Sequence, residues 1–141
     1  MIEFEKENGA DIHAQDTILS RSAIHFAAEN GNLDCVRFIS EQKGDLLDKD
    51  IYGATALHYA ARSNRLDVVK FLVSKKMDYT ARDVRGWTAM HYAACGDSVE
   101  IVKYLLAKGL DINALTESKH TPLFFAKDKE LRKYMISKGA K

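Results

Sequence analysis

Cysteine is scarce in this sequence: among 141 residues only Cys35 and Cys95 carry thiols. They lie far apart and fit no metal-ligand spacing, so they read as reduced thiols in a reducing compartment. Long hydrophobic runs are missing as well. No stretch approaches the ~18–20 uninterrupted apolar residues of a membrane span, and the opening Met1-Ile2-Glu3-Phe4-Glu5-Lys6-Glu7 lacks the basic start and apolar core of a signal peptide. Excess charge of either sign is absent. Lys and Arg number 21 and Asp and Glu 20, a net charge of +1, which gives no global field to attract nucleic acid or anionic lipid. The charge is uneven: residues 1–70 carry 8 basic and 12 acidic side chains, residues 71–141 carry 13 and 8. Proline is limited to Pro122. What is present is a hydrophobic content of 46%, enough for one domain with a continuous core and against disorder over the whole length. The expectation is a soluble protein of the cytoplasm or nucleus with no membrane segment.

Self-similarity organises the rest. Ser22-Ala23-Ile24-His25-Phe26-Ala27-Ala28 recurs as Thr55-Ala56-Leu57-His58-Tyr59-Ala60-Ala61, as Thr88-Ala89-Met90-His91-Tyr92-Ala93-Ala94, and as Thr121-Pro122-Leu123-Phe124-Phe125-Ala126, each 33 residues on. Behind the first three copies, after a polar break, stands a second apolar segment with helical spacing, beginning at Leu33, Leu66 and Val99. Each unit therefore predicts a Ser or Thr N-cap, a short Ala-rich helix, a turn, a second helix and a Gly/Asp-containing return. The Ala-Ala pairs keep the first helix thin for close approach. Neither helix can bury its stripe alone, so units are stable only when stacked.

These motifs resemble the ankyrin-repeat family: Asp50-x-x-Gly53-x-Thr55-Ala56-Leu57-His58-x-Ala60-Ala61, Asp83-x-x-Gly86-Trp87-Thr88-Ala89-Met90-His91-x-Ala93-Ala94, and the tail Leu105-Leu106-x-x-Gly109-Leu110-Asp111-Ile112-Asn113-Ala114. The resemblance implies an all-α solenoid of helix-turn-helix pairs joined by β-hairpin-like loops. Residues 1–16 form an N-terminal half-repeat, 17–49, 50–82 and 83–115 full repeats, and 116–141 a shortened, charged C-terminal capping repeat. The sequence thus opens mid-repeat. Departures from the pattern are Ala for Pro at 23, 56 and 89, tolerable at a helix N-terminus, and Asn64 and Asp97 where the first unit has Gly31 between its helices. Asn and Asp best tolerate the left-handed conformation needed there. Lys76 stands where Gly44 and Gly109 end the second helix elsewhere, so local strain or a different turn is expected.

No constellation of residues suited to catalysis stands in the sequence. His25, His58 and His91 repeat in register on helices ~8–10 Å apart, too far for one metal with ligands at about 2.0–2.1 Å; the family resemblance makes them hydrogen-bonding residues of the hairpin returns. His13 and His120 are single loop residues. Asp16, Asp50 and Asp83, like Asp11, Asp78 and Asp111, sit where turns need a side-chain acceptor. Cys95 is a small space-filler with partial exposure. No metal, no cofactor and no enzymatic activity are expected. Asn113 resembles a site of asparaginyl hydroxylation in such repeats, although bonding the return loop explains the residue more simply.

In this family the hairpin tips and inner faces of the first helices form a concave binding strip. Carried over, that strip runs through Ile18, Leu19, Arg21, Glu29 and Asn30 in the first unit, then Ile51, Tyr52, Ala54, Arg62 and Ser63. It continues through Val84, Arg85, Trp87, Cys95 and Gly96 to Glu117, Ser118, His120, Asp128 and Lys129, with Arg82 leading into the third hairpin. Ile51, Tyr52, Arg62, Arg82, Arg85, Trp87, Cys95 and His120 are the candidate partner-binding residues, because Tyr, Trp and Arg dominate interface energetics. They suggest a monomeric, non-catalytic adaptor for a protein with an acidic or aromatic-bearing surface. A regulatory or targeting domain of a longer enzyme or channel, or an inhibitor subunit, is the alternative. Nucleic acid is not an expected partner, since no continuous basic stripe with aromatics is visible along the chain.

Overall fold

The structure, a computed structural model, describes residues 22–42, 48–75 and 78–141. The expected half-repeat 1–16, Ile18, Leu19, Arg21 and the strain expected at Lys76 lie outside the described residues. Among those described there are eight helices and no strands. In chain order they form four pairs: α1 (Ala23–Glu29) with α2 (Leu33–Glu41), α3 (Ala56–Arg62) with α4 (Leu66–Ser74), α5 (Ala89–Cys95) with α6 (Val99–Ala107), and α7 (Pro122–Phe125) with α8 (Lys129–Ser137).

Each seven-residue first helix starts where the sequence predicts. Ser22, Thr55 and Thr88 sit before it in extended backbone, at ψ 178°, 176° and 173°. The cap is reciprocal, with His in the place that Glu or Gln usually takes: the backbone N–H of Thr88 donates to His91 Nδ1 at 3.0 Å, while His91 N–H donates to Thr88 Oγ1 at 3.5 Å. The helix stops at a left-handed residue, Gly31, Asn64 or Asp97, with φ of 73°, 61° and 52°. Asn and Asp therefore do substitute for Gly there. The following N–H reaches back five residues, from Asn32 to Ala27, Arg65 to Ala60 and Ser98 to Ala93 at 2.9–3.0 Å, closing the helix end.

Stacking makes two layers. The first helices pack on one another in the order α1, α3, α5, α7, and α2, α4 and α6 pack behind them with fewer points of contact. Alanines set the difference: Ala28, Ala56, Ala60, Ala61, Ala89, Ala93 and Ala94 are fully buried and let the inner backbones approach. At Gly96 the approach is so close that an added Cβ would lie 1.9 Å from the Arg62 carbonyl oxygen. Val36, Ile39, Val68, Leu72, Ile101 and Leu105 fill the space between layers, each contributing about 1.5–3 kcal/mol by leaving water. Removing one, as in Leu72→Ala, costs about 2–5 kcal/mol.

The last pair is different. Pro122 opens α7 at a position needing no backbone donor, and the helix is only four residues long. Arg132 Nη1 donates to the carbonyls of Leu123 and Ala126 at 2.8 and 2.9 Å, satisfying groups left over by so short a helix. No helix among the described residues is long and apolar enough to cross a membrane.

Candidate functional site

The returns between pairs are tight turns built around one acceptor. Asp50 Oδ1 accepts the N–H groups of Tyr52 and Ala54 at 2.8 and 2.9 Å; Asp83 Oδ1 accepts those of Arg85 and Trp87 at 2.8 and 3.0 Å. The second carboxylate oxygen receives the hydroxyl of Tyr59 or Tyr92 from the first helix just beyond. These aspartates are the turn-holders the sequence indicates. In the third turn Thr116 takes the place of Asp, its Oγ1 accepting from His120 N–H at 3.1 Å. Neighbouring tips are joined backbone to backbone, Val84 N–H to Tyr52 O and Glu117 N–H to Arg85 O, both at 2.8 Å.

The repeated histidines lock each return to the helix before it. Nδ1 accepts from the cap N–H, so the proton is on Nε2, which donates onward: from His25 to Asp48 O and Ala54 O at 2.8 and 3.1 Å, from His58 to Ala81 O at 3.1 Å, from His91 to Ala114 O and His120 O at 3.0 and 3.1 Å. One neutral imidazole thus ties a helix N-terminus to the start of the following return, and in two cases to its end. Burial lowers the pKa of all three, that of His58 to about 4, and outweighs the carbonyl bonds and nearby aspartates that act the other way. Among the described residues no group of three or more His, Cys, Asp and Glu could hold a metal ion.

Arg85 is the most connected of the candidate residues. Its Nη2 donates to Asp83 Oδ2 and to Tyr92 Oη, both at 3.0 Å, and its guanidinium lies 4.4 Å from the Trp87 ring centre and 5.3 Å from that of Tyr52. Burial alone would raise the Asp83 pKa, but bonds from Tyr92, from the Trp87 and Arg85 N–H groups and from the Arg85 guanidinium outweigh it, so the carboxyl is held below its usual range. Burial, together with the Asp83 bond, pushes the Tyr92 hydroxyl far up. The three groups form one neutralised unit.

Trp87 is half-buried, its ring 4.2 Å from that of Phe125 in the next pair and 5.2 Å from Tyr92. Arg82 Nη1 bridges Gly86 O and Leu115 O at 3.0 and 2.8 Å, bracing one return against the next. Arg62, with 42% of its side chain exposed, lies 3.6 Å from Glu29 and 5.3 Å from the Tyr59 ring. Cys95 is partly exposed at the end of α5, and its carbonyl accepts Lys127 Nζ at 2.8 Å. His120 stacks flat on Phe124 at 3.8 Å. Asn113 ties the C-terminal tail, donating to Gly139 O at 3.0 Å and accepting from Lys141 N–H at 2.9 Å.

The tips themselves are apolar and open. Ile51 and Val84 occupy the same place in successive returns and are 58% and 66% exposed, with Tyr52 beside them at 44%. The expected strip is thus divided by bonding rather than by exposure: Ile51, Tyr52 and Val84 are open apolar tips, while Arg82 and Arg85, although exposed, and the half-buried Trp87 also make contacts within the protein.

A family model described as ankyrin repeats in three copies matches residues 1–83 and 80–141, together the whole of the sequence. The chain belongs to the ankyrin-repeat family. Ankyrin repeats generally mediate contacts between proteins. No curated protein matches this ankyrin-repeat chain.

Proposed function

We propose that the chain is a monomeric, non-catalytic adaptor that binds a partner protein through the hairpin tips and inner-helix surface, with no cofactor. The observation that supports this most is the apolar pair Ile51 and Val84, exposed in register on returns that hydrogen bonds hold rigid. Rigid display matters because a surface already in its bound conformation loses little entropy on association. Tyr52 supplies an aromatic edge and Arg62 an exposed charge held only by a loose pair with Glu29, so the partner surface carries an apolar anchor flanked by an acidic group. Arg85, Trp87 and Arg82 hold the platform beneath it, and Cys95 and His120 lie along its C-terminal continuation. The compartment proposed is cytoplasm or nucleus, where two free thiols stay reduced.

The test is affinity capture with wild type and with an Ile51→Ser/Val84→Ser/Arg62→Ala variant of unchanged helical circular dichroism. A protein held by the wild type and lost by the variant supports the tip surface. Equal retention by both moves the binding face elsewhere and overturns this assignment.

A further inference from the structure

Stacking lines up the outer helices so that residues far apart in sequence form continuous rows. At the fifth position of α2, α4, α6 and α8 stand Arg37, Lys70, Lys103 and Lys133, all exposed. The next position carries Phe38, Phe71, Tyr104 and Tyr134, all half-buried. At the residue closing three of these helices stand Lys75, Lys108 and Lys138, again exposed. Each of three rings is flanked by a cation from the preceding repeat and one from its own. For Phe71 these are Arg37 at 5.6 Å and Lys75 at 5.3 Å; for Tyr104, Lys70 at 5.9 Å and Lys108 at 5.6 Å; for Tyr134, Lys103 at 5.2 Å and Lys138 at 5.8 Å.

Helix electrostatics accounts for only part of this. Cations at a helix C-terminus meet the negative end of the dipole, which explains Lys75, Lys108 and Lys138. The other row lies more than a turn back, where that effect has faded. Acidic groups of these helices gather in the first turn, at Asp34, Asp67, Glu100 and Glu130, on one side of the strip; the exception is Glu41, the exposed last residue of α2, at the end of the strip that lacks a closing lysine. Lys103 and Lys133 reach Glu100 and Glu130 at 3.7 and 4.0 Å, but exposed pairs of this kind are weak and leave the cations available.

We infer that this outer strip binds single-stranded nucleic acid, the phosphate backbone running along the two cationic rows and bases meeting the aromatic row between them. The rows are about 7.5 Å apart along each helix, and four helices spaced ~8–10 Å give a track about 25–30 Å long. Basic tracks with interleaved aromatic rings are how proteins hold single strands without sequence preference. The cations over the rings sit on flexible stems, and turning to phosphate uncovers the ring faces. A run of acidic residues matches the charge but brings no flat group to each ring, whereas every nucleotide carries one. A sequence scan misses the strip because its members are 33 residues apart, or 30 at the last step, where the inter-helix turn is shortened.

The experiment is fluorescence anisotropy of the full chain with labelled oligo(dT) and oligo(U) of about 16 nucleotides, titrated from 50 to 200 mM KCl. Poly-glutamate and phosphatidylserine vesicles serve as competitors. The expected Kd is about 1–100 μM at low salt, and contact with five to seven cations gives a log Kd–log salt slope of magnitude about 3.5–5. In Lys75→Gln/Lys108→Gln/Lys138→Gln, with circular dichroism unchanged, binding weakens at least tenfold and that slope shrinks by about 2. Tyr104→Leu/Tyr134→Leu weakens binding several-fold without altering the slope, and Tyr104→Phe/Tyr134→Phe restores it. No oligonucleotide binding at 50 mM salt, binding indifferent to these variants, or displacement by poly-glutamate or vesicles at equal charge would each overturn the proposal.

Discussion

Lys119 holds the left-handed backbone that Gly53 and Gly86 hold in the two preceding returns, at φ 68° against 77° and 80°. At Gly86 a Cβ would come within 2.9 Å of the Glu117 backbone nitrogen, because the next return stacks directly on it. Lys119→Gly relieves left-handed strain and should raise unfolding stability by about 1 kcal/mol, whereas Gly86→Ala combines that strain with a backbone clash and should lower it by about 1–3 kcal/mol; urea midpoints separate the two. Ser98 offers a second contrast. Its hydroxyl is fully buried at the start of α6 and has no hydrogen-bond partner. Replacing a capping serine with alanine ordinarily costs ~1 kcal/mol, but Ser98→Ala removes an unpaired polar atom and should leave stability unchanged or increase it, as thermal unfolding will report.

The returns behave as elements with their own pH signature. His25, His58 and His91 are neutral in the fold and regain a pKa near 6.5 when it opens. The unfolded chain therefore binds more protons below that value, so stability is full above pH 6.5 and falls as pH drops toward the folded pKa, about 4 for His58. For His58 the slope reaches about 1.4 kcal/mol per pH unit within that window, and His25 and His91 act in the same direction. Denaturant midpoints measured from pH 7.5 to 5 should show the loss; His58→Gln, which keeps a side-chain acceptor for the cap, should start lower and fall less steeply. A flat profile would contradict the neutral, Nε2-protonated histidines. Asp83→Asn should cost about 2–3 kcal/mol, since it unsettles Tyr92, Arg85 and two backbone donors together. The exposed Asp111, with one such donor, should cost less than 1 kcal/mol on the same change. Caps, turn residues and histidine placement were legible in the sequence because each is a local requirement repeated every 33 residues. The engagement of Arg85 and Arg82 was not, since it depends on how one return sits against a helix and on the next return. The packing of Trp87 was not legible for the same reason: residue type marks an interface aromatic, and only stacking places Phe125 against it.

Across the whole molecule, stability is a sum over neighbouring pairs. The inner layer is continuous from α1 to α7, but α7 has four residues and the outer contact toward α8 is slight. Hydrogen exchange should therefore reach α7 and α8 first, at an opening free energy below that of α3 and α5; equal protection throughout would show that the cap folds with the centre as one unit. The outer strip also belongs to this scale, because no single helix contains it. Its rows could have been found by writing the repeats in columns, with a three-residue correction for the shortened last turn.

The lysine at 119 also bears on how far such an array can be lengthened. Gly53 and Gly86 each lie under the tip of the following return, where an added Cβ would be tight against Val84 at 3.3 Å and would collide with the Glu117 backbone at 2.9 Å. A further repeat grafted after residue 141 would bring its own tip onto residue 119, where the Cβ of lysine stands in the way. Designed extensions of this protein should accordingly fail to dock in register until Lys119 is made glycine, after which the new repeat inherits the same backbone joint as the others.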